Sequence, residues 1–281
     1  MTKPTYFILL FTITFFVNCT SQPEQPTEPK TEETTELSPK EKLKEAYQLF
    51  KEGKDEESVQ LAEEVLAIGK ETDNDTLVGR ALTSLCRNAQ RSLDTNKLAE
   101  LSQGLKELAE SSGNQKWMMY RAHQNAEMWR LVGNMDRAEA FYDESMKLSA
   151  ETGSKGMFMI DHFNKSFVST AKGDYEEATR LITKYYALRK ELDSTKEDAY
   201  GLIALAYLLE QQENYQGAHE VAVVTRRLFK EQNLFPEPPD EKPLIAVEEK
   251  VKNELDSSDY EKISKNSETE SVSSLLEKYL K

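Results

Sequence analysis

The chain has 281 residues, with 36 Lys and Arg against 50 Asp and Glu, which gives a formal net charge of −14. This acidic balance argues against a surface that follows nucleic-acid phosphates. Two cysteines are too few for a disulfide-stapled scaffold or a cysteine-rich zinc module. Only 11 Gly and 9 Pro occur, while 31% of residues are charged, a composition that favours helices over a β-sandwich or barrel.

Residues 1–18 have the pattern of an export signal peptide. Lys3 precedes a mainly apolar run over residues 6–17, and the first acidic residue is Glu24. The run is too short to cross a hydrocarbon core of about 30 Å as a helix, but it has the length of the apolar region of a signal peptide. We therefore expect export of the chain.

Cys19 follows this run directly, within Phe16-Val17-Asn18-Cys19. The segment resembles the lipobox of bacterial lipoproteins, although Phe16 and Asn18 stand where that family usually has Leu and a smaller residue. The resemblance implies that Cys19 carries acyl chains such as palmitate and begins the mature protein. Removal of residues 1–18 would leave 35 Lys and Arg against 50 acids, a charge of −15. Two alternatives are an ordinary cleaved signal peptide with a coincidental cysteine, and an uncleaved signal anchor.

Residues 19–37 contain the lipidated cysteine and a segment rich in Pro, Glu and Thr. Such a segment buries too little apolar surface to offset its ordering entropy, so we expect a disordered tether with a reach of about 25 Å. The residues directly after Cys19 are Thr20 and Ser21, so no Asp stands next to the lipidated cysteine. By resemblance to lipoprotein sorting signals, this implies the cell envelope, at the outer membrane, on the periplasmic or the surface face.

Residues 38–232 carry a repeat of about 40 residues. Ser38, Pro39 and Glu41 have the spacing of a capping box that starts the first helix. Turn signals then recur with markers at Asp55, Lys97, Met135, Tyr175 and Tyr215, spaced by 42, 38, 40 and 40 residues. Three residues after the marker stand Ser58, Glu100, Ala138, Ala178 and Ala218, so the first two copies are divergent or offset. Apolar residues at helical spacing flank each turn, which predicts five helix–turn–helix units stacked in a right-handed, all-α solenoid.

The repeats resemble the tetratricopeptide (TPR) superfamily. In two units the first-helix pattern is matched by Ala122, Asn125, Ala126 and Trp129, and by Leu202, Leu205, Ala206 and Leu209. The long period and the stretch from Gly173 to Ala178 resemble the C-terminal repeats of LuxR-type ATP-dependent regulators. The chain has neither their phosphate-binding motif G-x-x-x-x-G-K-[ST] nor a basic recognition helix, so the resemblance implies their repeat fold without their ATPase or DNA-binding domains.

Residues 233–281 are predicted to cap the array. Pro236, Pro238 and Pro239 end the last repeat. A helix is predicted over 240–255 and a short one over 272–280, while the Ser-rich, charged residues 256–271 are expected to be partly mobile.

No catalytic motif, cofactor motif or metal-ligand cluster is apparent, so we expect a protein without enzymatic activity, cofactor or metal. Cys86 is interpreted as a small buried hydrophobic residue. His123 and His162 lie on first helices of adjacent units, where a site with Glu127 or Asp161 is conceivable, but a metal needs three or four fixed ligands.

The first helices of such arrays line a concave surface that contacts the ligand. We predict a scaffold that binds a protein or peptide there, with no nucleic-acid partner, and the net charge favours basic or mixed-charge partners. The alternatives are an accessory or assembly subunit of an envelope or secretion complex, and a small-ligand sensor with a closed pocket among Tyr120, His123 and Trp129. Aromatic residues and Arg commonly anchor recognition. The predicted binding residues are Tyr120, His123, Glu127, Arg130, Tyr200, Ile203 and Tyr207.

Overall fold

The structure is a computed structural model that describes residues 37–194 and 198–280. The predicted signal peptide, Cys19 and the tether up to residue 36 lie outside the described residues, as do residues 195–197 and 281. Leu37–Lys281 form one compact unit, to which the following description applies.

Ten helices of this unit form five consecutive antiparallel hairpins, and three further helices follow. Each hairpin pairs a first helix with a second helix, and no strand occurs within 37–194 and 198–280. The predicted all-α solenoid of helix–turn–helix repeats is therefore confirmed. The hairpins are α1 (Pro39–Lys51) with α2 (Asp55–Glu71), α3 (Asp75–Arg91) with α4 (Thr95–Ser112), α5 (Gln115–Leu131) with α6 (Met135–Glu151), α7 (Lys155–Ala171) with α8 (Tyr175–Glu191), and α9 (Asp198–Gln211) with α10 (Tyr215–Glu231).

The repeat period is a uniform 40 residues, because the second helices begin at residues 55, 95, 135, 175 and 215. The turn marker at Lys97 was wrong by two residues, since Asp94 caps α4 by accepting the Lys97 amide hydrogen. The position three residues after each helix start is fully buried in all five copies. The residues at this position are Ser58, Leu98, Ala138, Ala178 and Ala218, so Leu98 replaces the predicted Glu100.

Short polar side chains start most of these helices. Ser38 and Glu41 form the capping box predicted for α1. At the hairpin turn, Asn134 and Asn214 accept a hydrogen bond from the third amide of the following helix, which satisfies one of the free donors there. The residue before the cap adopts positive φ, as at Gly133 (φ 79°), where glycine avoids the strain of a side chain.

The first helices of neighbouring repeats contact one another, in the order α1, α3, α5, α7 and α9, and form the inner layer of the solenoid. The second helices pack against them from outside. The largest hydrophobic cluster joins the fourth and fifth repeats to the C-terminal helices, while a smaller cluster joins α2 to α5.

The C-terminal helices are α11 (Pro238–Glu254), α12 (Ser257–Ser267) and α13 (Val272–Tyr279). Leu244, Val247 and Val251 of α11 are fully buried against the last repeat. Part of the segment 256–271, which was expected to be partly mobile, forms α12: Asp256 caps this helix, and its Tyr260 stacks on His219 at 3.9 Å between ring centroids. Helix α11 also contacts α3, so the end of the array reaches back to the second repeat.

Candidate functional site

The inner layer of first helices holds two adjoining cavities, which share Tyr47, Thr83, Arg87 and Tyr120. The first, here called the inner cavity, has a volume of about 240 Å³. First helices of all five repeats line it, and Glu237, Pro239 and Asp240 close one side at the start of α11. The remaining lining residues are Gln90, His123, Gln124, Glu127, Arg130, Met157, Ile160, Phe163, Asn164, Tyr185 and Tyr200.

The second cavity, here called the basic groove, has a volume of about 610 Å³ and lies on α1, α3 and α5. Five of its lining side chains are Lys or Arg, and one is acidic. Beyond the shared residues, it is lined by Ser38, Lys40, Glu41, Leu43, Lys44, Arg80, Ser84, Lys116 and Trp117.

The structure brings together five of the seven residues predicted to bind a ligand: Tyr120, His123, Glu127, Arg130 and Tyr200 all line the inner cavity. His123 and Glu127 are themselves buried, at 7% and 3% exposure, so they form its floor. The contact of these residues with a ligand stays a prediction.

The structure contradicts the prediction that Ile203 contacts a ligand. Its side chain is fully buried in the large hydrophobic cluster of the last repeats and does not reach a concave surface. Tyr207 lines neither cavity, because its ring stacks on Phe167 at 6.0 Å between centroids. Both residues lie on α9, against which α7 and α11 pack.

A buried polar network supports the floor of the inner cavity. Asp161 Oδ1 lies 2.7 Å from His123 Nδ1, and the Ser145 hydroxyl donates to Asp161 Oδ2 at 2.6 Å. Next to it, Glu127 accepts hydrogen bonds from the Tyr142 hydroxyl and from Arg130 Nη2, the latter at 2.7 Å. These bonds fix the side chains because buried polar groups are costly when unpaired.

The network shifts the charge states of its members. Burial alone would lower the pKa of His123, but the hydrogen bond to Asp161 and the charge of that carboxylate outweigh burial and raise the pKa. Burial alone would raise the pKa of Glu127, but Arg130, His123 and the Tyr142 hydroxyl lower it. At neutral pH the floor therefore holds the Glu127 carboxylate beside the Arg130 guanidinium.

Asp240 joins the C-terminal helices to this network. Its Oδ1 lies 3.6 Å from Arg130 Nη2, and burial raises the pKa of Asp240 to about 7 against the opposing charge of Arg130. Glu237 and Glu127 add to the rise through like-charge repulsion. One Arg side chain thus contacts an acid of its own helix and an acid of α11.

Sequence reasoning missed several lining residues, including Tyr47, Arg87 and Asp240. The uniform period would have found the first two, since Tyr47, Arg87 and Glu127 stand 40 residues apart at one position of the repeat. No periodic signal marks Asp240, because it lies beyond the repeats. Trp129, predicted to share a pocket with Tyr120 and His123, lines a different cavity with Phe141.

Other chemistry finds little support in the described residues. Within 37–194 and 198–280, no three His, Cys, Asp or Glu side chains are placed to hold a metal ion. Cys86 is fully buried, and burial raises the pKa of its thiol to about 12. None of the helices in this part of the chain has the length and apolar character needed to cross a membrane.

One solved structure supports the helical-repeat fold. The structure of the apo form of RapI is similar, with a TM-score of 0.52 and 15% sequence identity over 78% of this chain and 87% of RapI. A putative kinesin light chain from Podosopora anserina with nearly identical TPR-like repeats gives a TM-score of 0.46 and 15% identity, over 69% of this chain and 95% of its own. No family model and no curated protein matches the sequence. The chain is an all-α solenoid of helix–turn–helix repeats.

Proposed function

We propose that this chain is a non-enzymatic scaffold that binds an extended segment of a protein, or a peptide, along its inner layer. The observation that carries the proposal is the continuous surface formed by the inner cavity and the basic groove, which crosses the first helices of all five repeats. A surface that runs across several parallel helices suits a ligand that is long in one direction.

The composition of this surface supports recognition. Tyr47, Tyr120 and Tyr200 contribute large aromatic faces, and Arg87 and Arg130 contribute planar charged groups. Tyr and Arg are enriched among the residues that carry most of the binding energy at interfaces. Tyr47 is 46% exposed, so part of this area is free to contact a ligand.

We further propose that the scaffold is a lipoprotein of the bacterial cell envelope, anchored through acyl chains on Cys19. The support is the sequence of residues 1–37, with its apolar run, adjacent cysteine and acidic, Pro-rich tether. Two acyl chains give stable anchoring, and the tether raises the concentration of the scaffold near other envelope proteins. The outer membrane is the proposed location.

A small-ligand sensor is the second candidate function, and the inner cavity favours it. Its volume of about 240 Å³ and its floor of hydrogen-bonded polar groups suit a compact polar molecule. The two functions differ in ligand length, because a peptide must extend beyond the inner cavity into the basic groove.

Selection from a random peptide library tests the scaffold function. The bait is the full-length chain in detergent, and the counter-selection uses Tyr47→Ser/Tyr120→Ser. We expect wild type to retain peptides that this variant loses. Val132→Ser/Leu192→Ser is the control, because it removes two exposed apolar side chains outside both cavities. If wild type retains no peptide better than Tyr47→Ser/Tyr120→Ser does, the scaffold proposal fails.

Fatty-acid labelling and detergent-phase partitioning test the anchor. Wild type is expected to incorporate labelled fatty acid and to enter the detergent phase, and Cys19→Ala to do neither. Equal behaviour of the two proteins would reject the lipid anchor and leave the groove proposal unaffected.

A further inference from the structure

The first three repeats separate their charges between the two layers. The inner helices α1, α3 and α5 together contain ten Lys and Arg and four Asp and Glu. The outer helices α2, α4 and α6 contain five Lys and Arg and fourteen Asp and Glu. Within the first three repeats of this acidic protein, the inner helices therefore carry +6 and the outer helices −9.

Glu41 and Glu237 lie near two cations of the basic groove, Lys44 and Arg87, but form no ion pair with them. Among the described residues, none of its five cations makes an ion pair, and Lys40, Lys44, Arg80 and Lys116 are exposed. Among the described residues that line the groove, the one acid is Glu41, which is engaged in the capping box with Ser38. The groove wall also includes Trp117, whose indole N–H is buried without a hydrogen-bond acceptor in the described part of the chain.

Aromatic rings lie between these cations. The Arg87 guanidinium lies 4.8 Å from the ring centroid of Tyr47, and the Lys116 ammonium lies 5.6 Å from that of Trp117. These cation–π contacts hold the charged groups of Arg87 and Lys116 over the aromatic faces of the groove.

We infer that the basic groove binds an acidic segment of a protein in extended conformation, with its side-chain carboxylates on Lys44, Arg80 and Lys116. This inference rests on the proposed scaffold function and specifies its ligand. The net charge of the chain predicted a basic or mixed-charge partner. The inference predicts an acidic one, because the groove is positively charged while the whole chain is negatively charged.

The spacing of the first helices sets the spacing of the acids. Packed helices lie about 8–10 Å apart, and the three cations stand on three consecutive first helices, α1, α3 and α5. A chain in the extended polyproline II conformation rises about 3.1 Å per residue with three residues per turn, so residues three apart lie on one face and cover one helix spacing. The preferred ligand therefore has acidic residues at positions i, i+3 and i+6.

Fluorescence anisotropy with labelled nine-residue peptides tests this inference on the full-length chain in detergent. One peptide has Glu at positions 1, 4 and 7 among Gly and Ser, a second has three consecutive Glu, and a third has Lys at positions 1, 4 and 7. We expect the first peptide to bind at least about tenfold more tightly than the second, the third not to bind, and salt to weaken binding. Comparable binding of the third peptide would overturn the inference.

Charge reversal separates the groove from the rest of the surface. Lys44→Glu/Arg80→Glu/Lys116→Glu should abolish binding of the acidic peptide and gain binding of the Lys peptide. Lys70→Glu/Lys147→Glu/Lys190→Glu is the matched control, because these lysines are exposed on second helices and change the net charge by the same amount. Equal loss of binding in the two variants would overturn the site.

Two further results distinguish the possible failures. Binding of phosphatidylglycerol vesicles by the basic groove, without binding of the acidic peptide, would overturn the inference in favour of a lipid surface. If the library selection above retains groove-dependent peptides that are neutral or basic, the acidic ligand is rejected while the scaffold function stands.

Discussion

The first three repeats and the last two repeats share the same 40-residue period, but the side chains at one inner-layer position have different contacts in the two regions. In the first three, Tyr47, Arg87 and Glu127 occupy one repeat position and line the inner cavity. In the last two, the same position holds Phe167 and Tyr207, whose rings stack on each other. The difference shows that the period determines where a side chain lies along the inner layer, whereas its neighbours determine whether it lines the cavity or packs on another ring.

Arg130 links the two regions, and its removal should have the largest effect. Arg130→Ala leaves Glu127 and Asp240 buried without their cation, so we expect a loss of about 3–5 kcal/mol in the free energy of unfolding. Urea denaturation measures it. The control is Arg180→Ala, which breaks an Arg–Glu pair of the same sequence spacing whose Arg is 60% exposed and should cost at most about 1 kcal/mol. Similar losses in the two variants would contradict the joining role of Arg130.

Two isoleucines test the difference in burial directly. Ile203 is fully buried in the C-terminal region, whereas Ile160 is 38% exposed and lines the inner cavity. We expect Ile203→Ala to lower the free energy of unfolding by about 3 kcal/mol, through lost burial and a new cavity, and Ile160→Ala by less than about 1 kcal/mol. Thermal and urea unfolding of both variants check this, and the opposite order would restore Ile203 to the ligand surface.

Two glycines test how closely the first helices approach one another. A Cβ atom on Gly79 of α3 would lie 2.4 Å from the Trp117 ring of α5, while one on Gly156 of α7 would have no neighbour within 4 Å. Gly79→Ala should therefore cost about 1–3 kcal/mol, and Gly156→Ala should raise stability by about 0.5 kcal/mol. If Gly79→Ala left the free energy of unfolding unchanged, the basic groove would widen easily at Trp117.

Asp240 should give the smallest effect, and one that depends on pH. Its pKa is about 7 in the folded chain and near 3.8 when unfolded, so between these values the folded state holds a proton that the unfolded state has lost. Stability should thus fall as pH rises from about 4 to 7, and Asp240→Asn should remove at least about 1 kcal/mol of that fall. Denaturation midpoints of both proteins at pH 5 and 7 measure the difference. An equal change in stability between the two pH values in both proteins would contradict the prediction.

The sequence was sufficient for the architecture because hairpin turns and buried positions recur at a fixed interval. It misplaced one turn, at Lys97, because Thr95-Asn96 resembles a cap while the cap itself is Asp94. The site was harder to predict. Tyr120 and Arg130 follow from the repeat register, but Ile203 was assigned to the surface because the position of α11 cannot be derived from periodicity. Asp240 belongs to a segment with no repeat, so only the folded chain brings it to Arg130.

The contact between α3 and α11 has a mechanical consequence. A solenoid with free ends can stretch and recoil like a spring, because small changes at each junction add along its length. Here α11 contacts α3, so the repeats between these two helices are bridged. Changes in the angles between those repeats must therefore compensate one another. A ligand that needs a wider inner cavity must first separate α3 from α11. A ligand that fits the cavity as it stands finds the lining helices already in position.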